Sequence, residues 1–464
     1  MVFSSLLFLF VYLPITLAVY FIVPAKLRNV VLLVVNLIFY AWGEPIYVAL
    51  MLFTTLVDYT HGMLIERYRA NKRLARYFLT QAVVINLGLL FFFKYYDFIV
   101  TSAIAVFPAF PLQPTGLALP IGISFYTFQS MSYTIDVYRG DVASQRSFVR
   151  YGTFVTLFPQ LIAGPIVRYK DIDDQLAERH ENIPQFALGV RTFVCGLCKK
   201  VLLANSIGLL WDSVASQPAV QLSALGAWLG VLAFTFQIYF DFSGYSDMAI
   251  GLGRMLGFEF LPNFNYPYIS RSVTEFWRRW HMSLGTWFRD YVYIPLGGSR
   301  KGRAKTYRNI FIVWLLTGIW HGASWNFVLW GLFYAAFLLL EKAFLLEKLE
   351  KMRILPHIYA LLLIMGGWVI FAIEDVSRIG TYFASLFGSH GAANGAALYD
   401  LRSYLPLLVI LALASTPLPK RVYDRLCAMR WGAYVTPVLC VLGLVASTAY
   451  LVNASYNPFL YFRF

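Results

Sequence analysis

Long apolar runs dominate this sequence, and short polar or basic stretches separate them. Several runs reach or approach the roughly 20 residues that an α-helix needs to cross a bilayer. The run at 151–166 is short and ends in Ala163-Gly164-Pro165, which fits a re-entrant element as well as a span. The pattern predicts an all-α polytopic membrane protein with about ten spans. The expected apolar helices lie near 6–23, 29–43, 45–61, 77–107, 117–136, 187–210, 223–247, 356–373, 403–416 and 432–452, with an apolar hairpin at 309–341.

Composition supports the same picture. Hydrophobic residues make up 59% of the chain and charged residues 13%, whereas roughly a quarter of the residues in soluble domains are charged. The N-terminal run has no Lys or Arg before it and no small-residue cleavage site, so we interpret it as a retained span and not as a signal peptide. We expect one membrane-embedded domain over residues 1–464.

The net charge of +14 could indicate nucleic-acid binding in a soluble protein. In a membrane protein, the same excess more often marks cytoplasmic loops that face anionic lipid. On that interpretation Lys26 and Arg28, the basic stretch 67–76, the stretch 139–150 and the region 254–308 are all cytoplasmic. The N-terminus is then extracytoplasmic, the bilayer is the partner, and no nucleic acid is expected.

The region 254–308 contains the first candidate histidine. Ser272 and Glu275 form a capping-box pattern, which predicts that a helix begins there. Apolar residues continue at helical spacing as far as Tyr291, so we expect an amphipathic helix in the cytoplasmic interface, with His281 on its aromatic, protein-facing side. A hydrogen-bonded packing histidine is the alternative for His281.

The second candidate, His321, lies in the middle of the apolar hairpin 309–341. An ionisable residue inside a membrane segment is costly, so it is by default a functional-site hypothesis. Burial disfavours the charged imidazole and leaves a neutral ring that can accept a proton, as a general base must. Gly318 and Gly322 flank His321 and would let another backbone or a thin substrate chain approach. A histidine that only bridges two helices is the alternative.

Other motifs add less. The four cysteines lie in or beside apolar segments, which does not indicate a disulfide framework, and no His/Cys cluster has zinc spacing, so we expect no metal. The loop 297–303 could bind a polyphosphate through glycine N–H groups and cations, or could simply follow the positive-inside bias. Asp241 and Asp247 either hydrogen-bond neighbouring helices or orient a substrate. A transporter is the alternative to an enzyme.

These motifs together resemble the membrane-bound O-acyltransferase family. The sharpest matches are Phe276-Trp-Arg-Arg-Trp-His281, Phe288-Arg-Asp-Tyr291, Tyr293-Ile-Pro-Leu-Gly-Gly298, Trp320-His-Gly322 and Trp325-Asn326. Within the family, Phe39-Tyr-Ala-Trp42 and the terminal Asn457–Phe464 segment look like the branch that O-acetylates alginate and other polysaccharides. The branch that transfers D-alanine from a carrier protein is the close alternative.

The resemblance implies a helical fold with a central funnel or tunnel, His321 as the essential histidine and His281 as the second. It implies an acyl thioester donor from the cytoplasm, acetyl-CoA, with no bound cofactor, and a polysaccharide acceptor outside the bacterial inner membrane. Because no soluble catalytic domain is evident, we expect a periplasmic SGNH-type partner. The residues expected to bind the donor are Arg278, Arg279, Arg289, Arg300, Lys301, Arg303, Trp320 and Asn326.

Overall fold

The computed structural model describes residues 1–453 and 459–460. These residues form helices joined by turns and loops, with no strand among them. The chain falls into two compact units: the first comprises Met1–Phe193 with Met248–Leu261, and the second comprises Val194–Asp247 with Pro262–Phe464. The expectation of one domain over 1–464 stays a prediction. The terminal motif 457–464 lies outside the described residues except for Phe459 and Leu460.

Eight helices in the described part of the chain are long and apolar enough to cross a membrane. The protein is therefore an all-helical, multi-pass membrane protein, while the count of about ten spans and the central tunnel stay predictions. The eight helices are Val48–Arg67 (α3), Lys72–Val106 (α4), Ile183–Ala215 (α9), Ala224–Met255 (α10), Trp325–Glu350 (α14), Leu355–Ala372 (α15), Gly395–Ala414 (α17) and Gly432–Asn453 (α19).

The first unit begins with a shorter apolar helix and continues through α3 and α4. Its remaining helices are Phe8–Ile22 (α1), Arg28–Ala41 (α2), Ile123–Arg139 (α5), Phe148–Thr156 (α6), Phe158–Leu161 (α7) and Tyr169–Ala177 (α8). The polar stretch at Lys94–Asp97 lies inside the continuous α4. The buried Asp58 of α3 accepts a hydrogen bond from Asn86 of α4 at 2.8 Å, because a carboxylate in an apolar interior needs a donor.

The second unit is built around a helical hairpin, as the pattern at 309–341 predicted. Its helices are Val273–Arg279 (α11), Met282–Phe288 (α12), Arg303–His321 (α13), α14, α15, Val376–Leu386 (α16), α17, Leu418–Cys427 (α18) and α19. Gly318 of α13 and Gly331 of α14 let the two helices touch backbone to backbone. A Cβ at Gly318 would lie 2.4 Å from the carbonyl oxygen of Phe327. Small residues at membrane helix crossings permit this approach.

Ion pairs join α9 and α10 within the second unit. Lys200 pairs with Asp241, both almost fully buried, and Lys199 pairs with Asp247 at 2.6 Å. The other carboxylate oxygen of Asp241 accepts a hydrogen bond from the backbone N–H of Leu460 at 2.8 Å. The two aspartates therefore join helices, as one of their two interpretations expected, but through lysines that the sequence analysis did not single out.

Candidate active site

The short helix α11 leads to His281, and one hydroxyl and one carboxylate hold its start. The hydroxyl of Ser272 accepts a hydrogen bond from the backbone N–H of Glu275, which confirms the predicted helix start. Glu341 of α14 is 1% exposed. Its carboxylate accepts from the N–H groups of Val273 (2.7 Å) and Thr274 (2.8 Å) and from the Thr274 hydroxyl (2.6 Å). A buried carboxylate on free N–H groups of a first helical turn is a strong, charge-assisted cap.

The predicted single helix from 272 to 291 is wrong, because the chain breaks at His281. There the backbone is left-handed, with φ of 46°, and α11 ends at Arg279 while α12 begins at Met282. Oδ1 of the buried Asn263 accepts hydrogen bonds from the N–H of Ser283 (3.1 Å) and its hydroxyl (2.9 Å), which offsets the cost of the break. Helical spacing of aromatic residues continues across the break, so periodicity alone could not reveal it.

The same amide oxygen orients the imidazole of His281. Nδ1 lies 3.2 Å from Oδ1 of Asn263, so Nδ1 carries the proton and Nε2 is left with its lone pair. Nε2 has no hydrogen-bond partner among the described residues. The ring packs edge-on against Phe242 at 4.7 Å and lies 6.1 Å from Trp320. Burial in this apolar setting, outside the candidate spans, lowers the pKa of His281 to about 3 and keeps the ring neutral.

His321 is held differently, at the end of the regular helix α13. It is 5% exposed and is enclosed by aromatic rings: Trp320 at 5.1 Å, Trp330 at 4.9 Å and Phe371 at 5.4 Å between ring centroids. Trp320 therefore contacts both histidines. The close approach that Gly318 was expected to permit is made by α14, and the ring of Phe327 fills the space beside Gly322.

A cavity of about 230 Å³ opens beside His281. His281 lines it directly, and so does Thr317, one turn before His321 on α13; His321 itself is not among the lining residues. Ligand pockets usually have about 300–1,000 Å³, so the described cavity suits a small acyl group better than a nucleotide. The complete lining is Trp277, Trp280, His281, Leu284, Gly285, Phe288, Arg289, Tyr293, Ile310, Val313, Trp314 and Thr317.

The residues expected to bind the donor lie in different surroundings. Arg289 lines the cavity and pairs with Asp290, and Arg279 pairs with Glu275. The amide of Asn326 is buried and donates to the carbonyl oxygens of Ile370 (3.2 Å) and Phe371 (3.0 Å) at the end of α15. The remaining cations lie exposed at Arg278, Arg300, Lys301 and Arg303. Their part in donor binding stays a prediction.

The glycine N–H groups expected to face a polyphosphate at 297–303 are partly used elsewhere. The N–H of Gly297 donates to the carbonyl of Ile294, and that of Gly298 to the carbonyl of Tyr293, each at 2.9 Å. The buried Asn309 then donates to the carbonyl of Gly298 at 3.0 Å. These two glycines end a helical turn, so that part of the loop prediction is wrong; the exposed cations that follow remain available to an anion.

Asn263 and Glu341 are the site residues that the sequence reasoning missed. Asn263 lies in a loop before the helix it supports, and Glu341 is far along the chain from α11, so neither shares a motif with His281. A single acid, Glu341, at the end of a long apolar run was the one available signal. Acids within membrane segments are costly and usually have a specific partner.

Known proteins with similar sequences are acyltransferases. The chain is 42% identical to the probable alginate O-acetylase AlgI of Pseudomonas putida over the full length of both chains. It is 32% identical to the peptidoglycan O-acetyltransferase of Helicobacter pylori over 85% of this chain and 81% of that protein. It is 29% identical to the teichoic acid D-alanyltransferase of Bacillus subtilis over 66% of this chain and 77% of that protein.

The sequence model of the membrane-bound O-acyltransferase family, MBOAT, matches residues 142–371, which include both histidines. Full-length similarity to a relative at 42% identity extends this match to the whole chain. The eight apolar helices agree with such a membrane enzyme. The chain therefore belongs to the membrane-bound O-acyltransferase family and is a multi-pass O-acyltransferase.

Proposed function

We propose that this protein passes an acetyl group from cytoplasmic acetyl-CoA across a bacterial inner membrane for O-acetylation of an extracytoplasmic polysaccharide such as alginate. The full-length similarity to alginate O-acetylases supports acetyl as the acyl group and a polysaccharide as the acceptor. The observation that carries the mechanism is a neutral, oriented His281 on a small apolar cavity, with His321 one helical turn beyond the cavity wall.

In the proposed reaction, His321 is the general base. An acceptor hydroxyl oxygen attacks the thioester carbonyl carbon as His321 removes its proton, a C–O bond forms and the C–S bond breaks. His321 then returns the proton to the departing thiolate, so the products are an acetyl ester and free thiol. His281, whose Nδ1 is fixed by Asn263, places the donor against the cavity wall. Positioned proton transfer contributes about 10²–10⁴-fold to such a rate.

The test is thioester turnover by purified protein in liposomes, with released thiol and acetylated acceptor measured together. His321→Ala should lower both by about 10²–10⁴-fold while the protein keeps its thermal unfolding midpoint. His180→Ala is the matched control, since His180 is exposed and outside the site. A His321→Ala protein with wild-type turnover would remove His321 from the mechanism.

The donor separates the two enzymatic candidates. A D-alanyl carrier-protein thioester is the alternative donor, supported by similarity to a teichoic acid D-alanyltransferase over two thirds of the chain. Turnover of acetyl-CoA without carrier protein supports the acetyl assignment, and turnover of the carrier thioester alone supports the alternative. Movement of intact acylated sugar without thioester consumption would instead indicate a transporter.

The acceptor side of the proposal includes a second protein. We expect a periplasmic SGNH-type transferase to complete delivery to the polymer, as the family resemblance implies. Reconstitution with and without such a partner tests this step: acetylation of the polymer should require the partner, whereas transfer of the acetyl group from the donor to a small hydroxyl acceptor, measured as released thiol, should not.

A further inference from the structure

The first unit contains a pocket that the acyltransferase mechanism does not use. Its volume is about 570 Å³, within the roughly 300–1,000 Å³ usual for ligand pockets. Three segments form it: the chain entering α2, the start of α6 and the end of α8. The lining residues are Ala25, Lys26, Arg28, Asn29, Val30, Ser147, Val149, Arg150, Leu176, Ala177, Glu178, Arg179 and Glu181.

Two of the pocket's arginines are fixed in place. Arg28 pairs with Glu181 at 2.8 Å, and Arg179 donates to Asn29 at 2.8 Å and to the hydroxyl of Tyr20 at 3.1 Å. Burial raises the pKa of Glu181, but the hydrogen bond from Tyr20 and the Arg28 charge outweigh burial and leave this pKa below its ordinary value. Glu181 is therefore ionised, and its charge partly balances those of Arg28 and Arg179 on this side of the pocket.

The other two cations, Lys26 and Arg150, are not balanced in this way. Their side chains make no hydrogen bond or ion pair with any residue in the described part of the chain. Four cations and two carboxylates line the pocket, which leaves a net charge of +2. Lys26 is exposed and Arg150 is half-buried, so both can reach a ligand, and a cation with several donors suits the oxygens of a phosphate.

Exposed apolar side chains lie next to the pocket-lining residues along the chain. Ile22 is 81% exposed and Leu27 is 50% exposed, and Val30 belongs both to the pocket wall and to this exposed apolar surface. Ile22 ends the shorter apolar helix α1, and large exposed apolar residues suit contact with acyl chains. Moreover, the charge pattern predicts independently that Lys26 and the stretch 139–150 are cytoplasmic, and the fold brings these two regions to one pocket. Anionic lipids carry the negative surface charge of that leaflet.

We propose that this pocket binds the phosphate headgroup of an anionic phospholipid, with Lys26 and Arg150 on the phosphate oxygens and the acyl chains along Ile22, Leu27 and Val30. A soluble phosphate would bind the same cations but would make no contact with the exposed side chains of Ile22, Leu27 and Val30. The inference stands apart from the proposed function, because it concerns only residues of the first unit.

The experiment compares three additives on the full-length protein in a neutral detergent: phosphatidylglycerol, phosphatidylcholine and inorganic phosphate. Thermal unfolding midpoints are recorded as each is titrated, and bound lipid is counted by native mass spectrometry. Phosphatidylglycerol should raise the midpoint saturably, whereas the other two should not. The variant Lys26→Gln with Arg150→Gln should need about 30-fold more phosphatidylglycerol, since each interfacial cation contributes roughly fivefold.

The matched control is Lys72→Gln with Arg73→Gln. It also removes one Lys and one Arg from the first unit, and both residues are exposed and outside the pocket. This control should bind phosphatidylglycerol as the wild type does. The single variants Lys26→Gln and Arg150→Gln, each with an intermediate loss, guard against a folding defect in the double variant.

Three outcomes would overturn the proposal. The double variant and its control could respond alike, so that the pocket cations do not bind the lipid. Phosphatidylcholine could stabilise the protein as well as phosphatidylglycerol does, so that charge is irrelevant. Inorganic phosphate could saturate the effect, so that the pocket is a site for soluble anions.

Discussion

His281 and His321 are both buried in the second unit, but different contacts surround their side chains. His281 interrupts a helix in left-handed backbone, and an amide oxygen of Asn263 fixes its ring. His321 ends a regular helix, and the aromatic rings of Trp320, Trp330 and Phe371 enclose it. The cavity opens at the residue held by hydrogen bonds and reaches only the helical turn before the residue held by packing.

We infer from this difference that the two histidines depend on different neighbouring residues. A side chain fixed by directional hydrogen bonds can line a cavity without losing its orientation, whereas one fixed by packing depends on its neighbours staying close. The histidine that touches the cavity is therefore expected to be sensitive to polar support residues. The histidine enclosed by rings is expected to be sensitive to the volume of the hairpin core. Each variant below disturbs the surroundings of one of the two histidines.

The largest effect is expected from Glu341→Ala, which removes the cap of the helix that leads to His281. The change leaves the N–H groups of Val273 and Thr274 and the Thr274 hydroxyl without their buried acceptor. Each unsatisfied donor costs roughly 1–3 kcal/mol, so a loss of about 3 kcal/mol or more in unfolding free energy is expected. Thermal unfolding in detergent measures it.

Glu347→Ala is the control for that change, because Glu347 lies on the same helix but is exposed. It should stay within about 0.5 kcal/mol of the wild type. Equal losses from both variants would show that the capping contact contributes little, and that α11 is held by its aromatic contacts instead.

The second largest effect is expected from Gly318→Ala, which changes the packing around His321. The new Cβ would lie 2.4 Å from the Phe327 carbonyl oxygen and 2.9 Å from Cα of Gly331. Because the hairpin must separate, a loss of about 1–3 kcal/mol is expected, together with a fall in activity as the rings around His321 shift. Thermal unfolding and thioester turnover measure the two parts.

Gly285→Ala gives the matched comparison on the helix after His281. A Cβ there meets only one atom within 4 Å, at 3.9 Å, and alanine is the better helix former by roughly 0.5–1 kcal/mol. This variant should be as stable as the wild type or more stable. If both alanine variants cost the same, close backbone packing does not distinguish the two histidine regions.

Much of the helical fold was predictable from the sequence, because apolar run length reports directly on bilayer thickness. The helices near 356–373 and 432–452 were predicted to within one residue of their bounds, whereas the helices of the hairpin predicted at 309–341 begin six residues earlier and end nine residues later. His281 and His321 were found because charged or ionisable residues are rare in apolar surroundings. The left-handed break at His281 was missed, because the hydrogen bonds of Asn263, which lies 18 residues earlier, determine it rather than the local pattern.

The third effect tests the polar support of His281 directly. Asn263→Ala removes the oxygen that accepts from Ser283 and orients the imidazole. The lost buried hydrogen bonds should cost about 1–2 kcal/mol in unfolding free energy. If His281 places the donor, the Michaelis constant for the donor should also rise. Asn265→Ala, an exposed neighbour in the same segment, should change neither quantity, and an unchanged Michaelis constant for Asn263→Ala would argue against donor placement.

The last effect is a change in the pH dependence of stability. Burial lowers the pKa of His281 from 6.5 to about 3, so below pH 6.5 the unfolded chain binds a proton that the folded chain does not. The stability that is fully present above pH 6.5 is then lost by about 1.4 kcal/mol per pH unit as the pH falls towards 3.

His281→Asn removes this titration, and asparagine tolerates left-handed backbone. Its unfolding free energy should therefore fall less steeply than that of the wild type between pH 6.5 and 5, as thermal unfolding at each pH would measure. Parallel pH profiles would mean that water or a proton reaches the imidazole of His281 in the folded protein. The contrast between the hydrogen-bonded, cavity-lining His281 and the ring-enclosed His321 would then not hold.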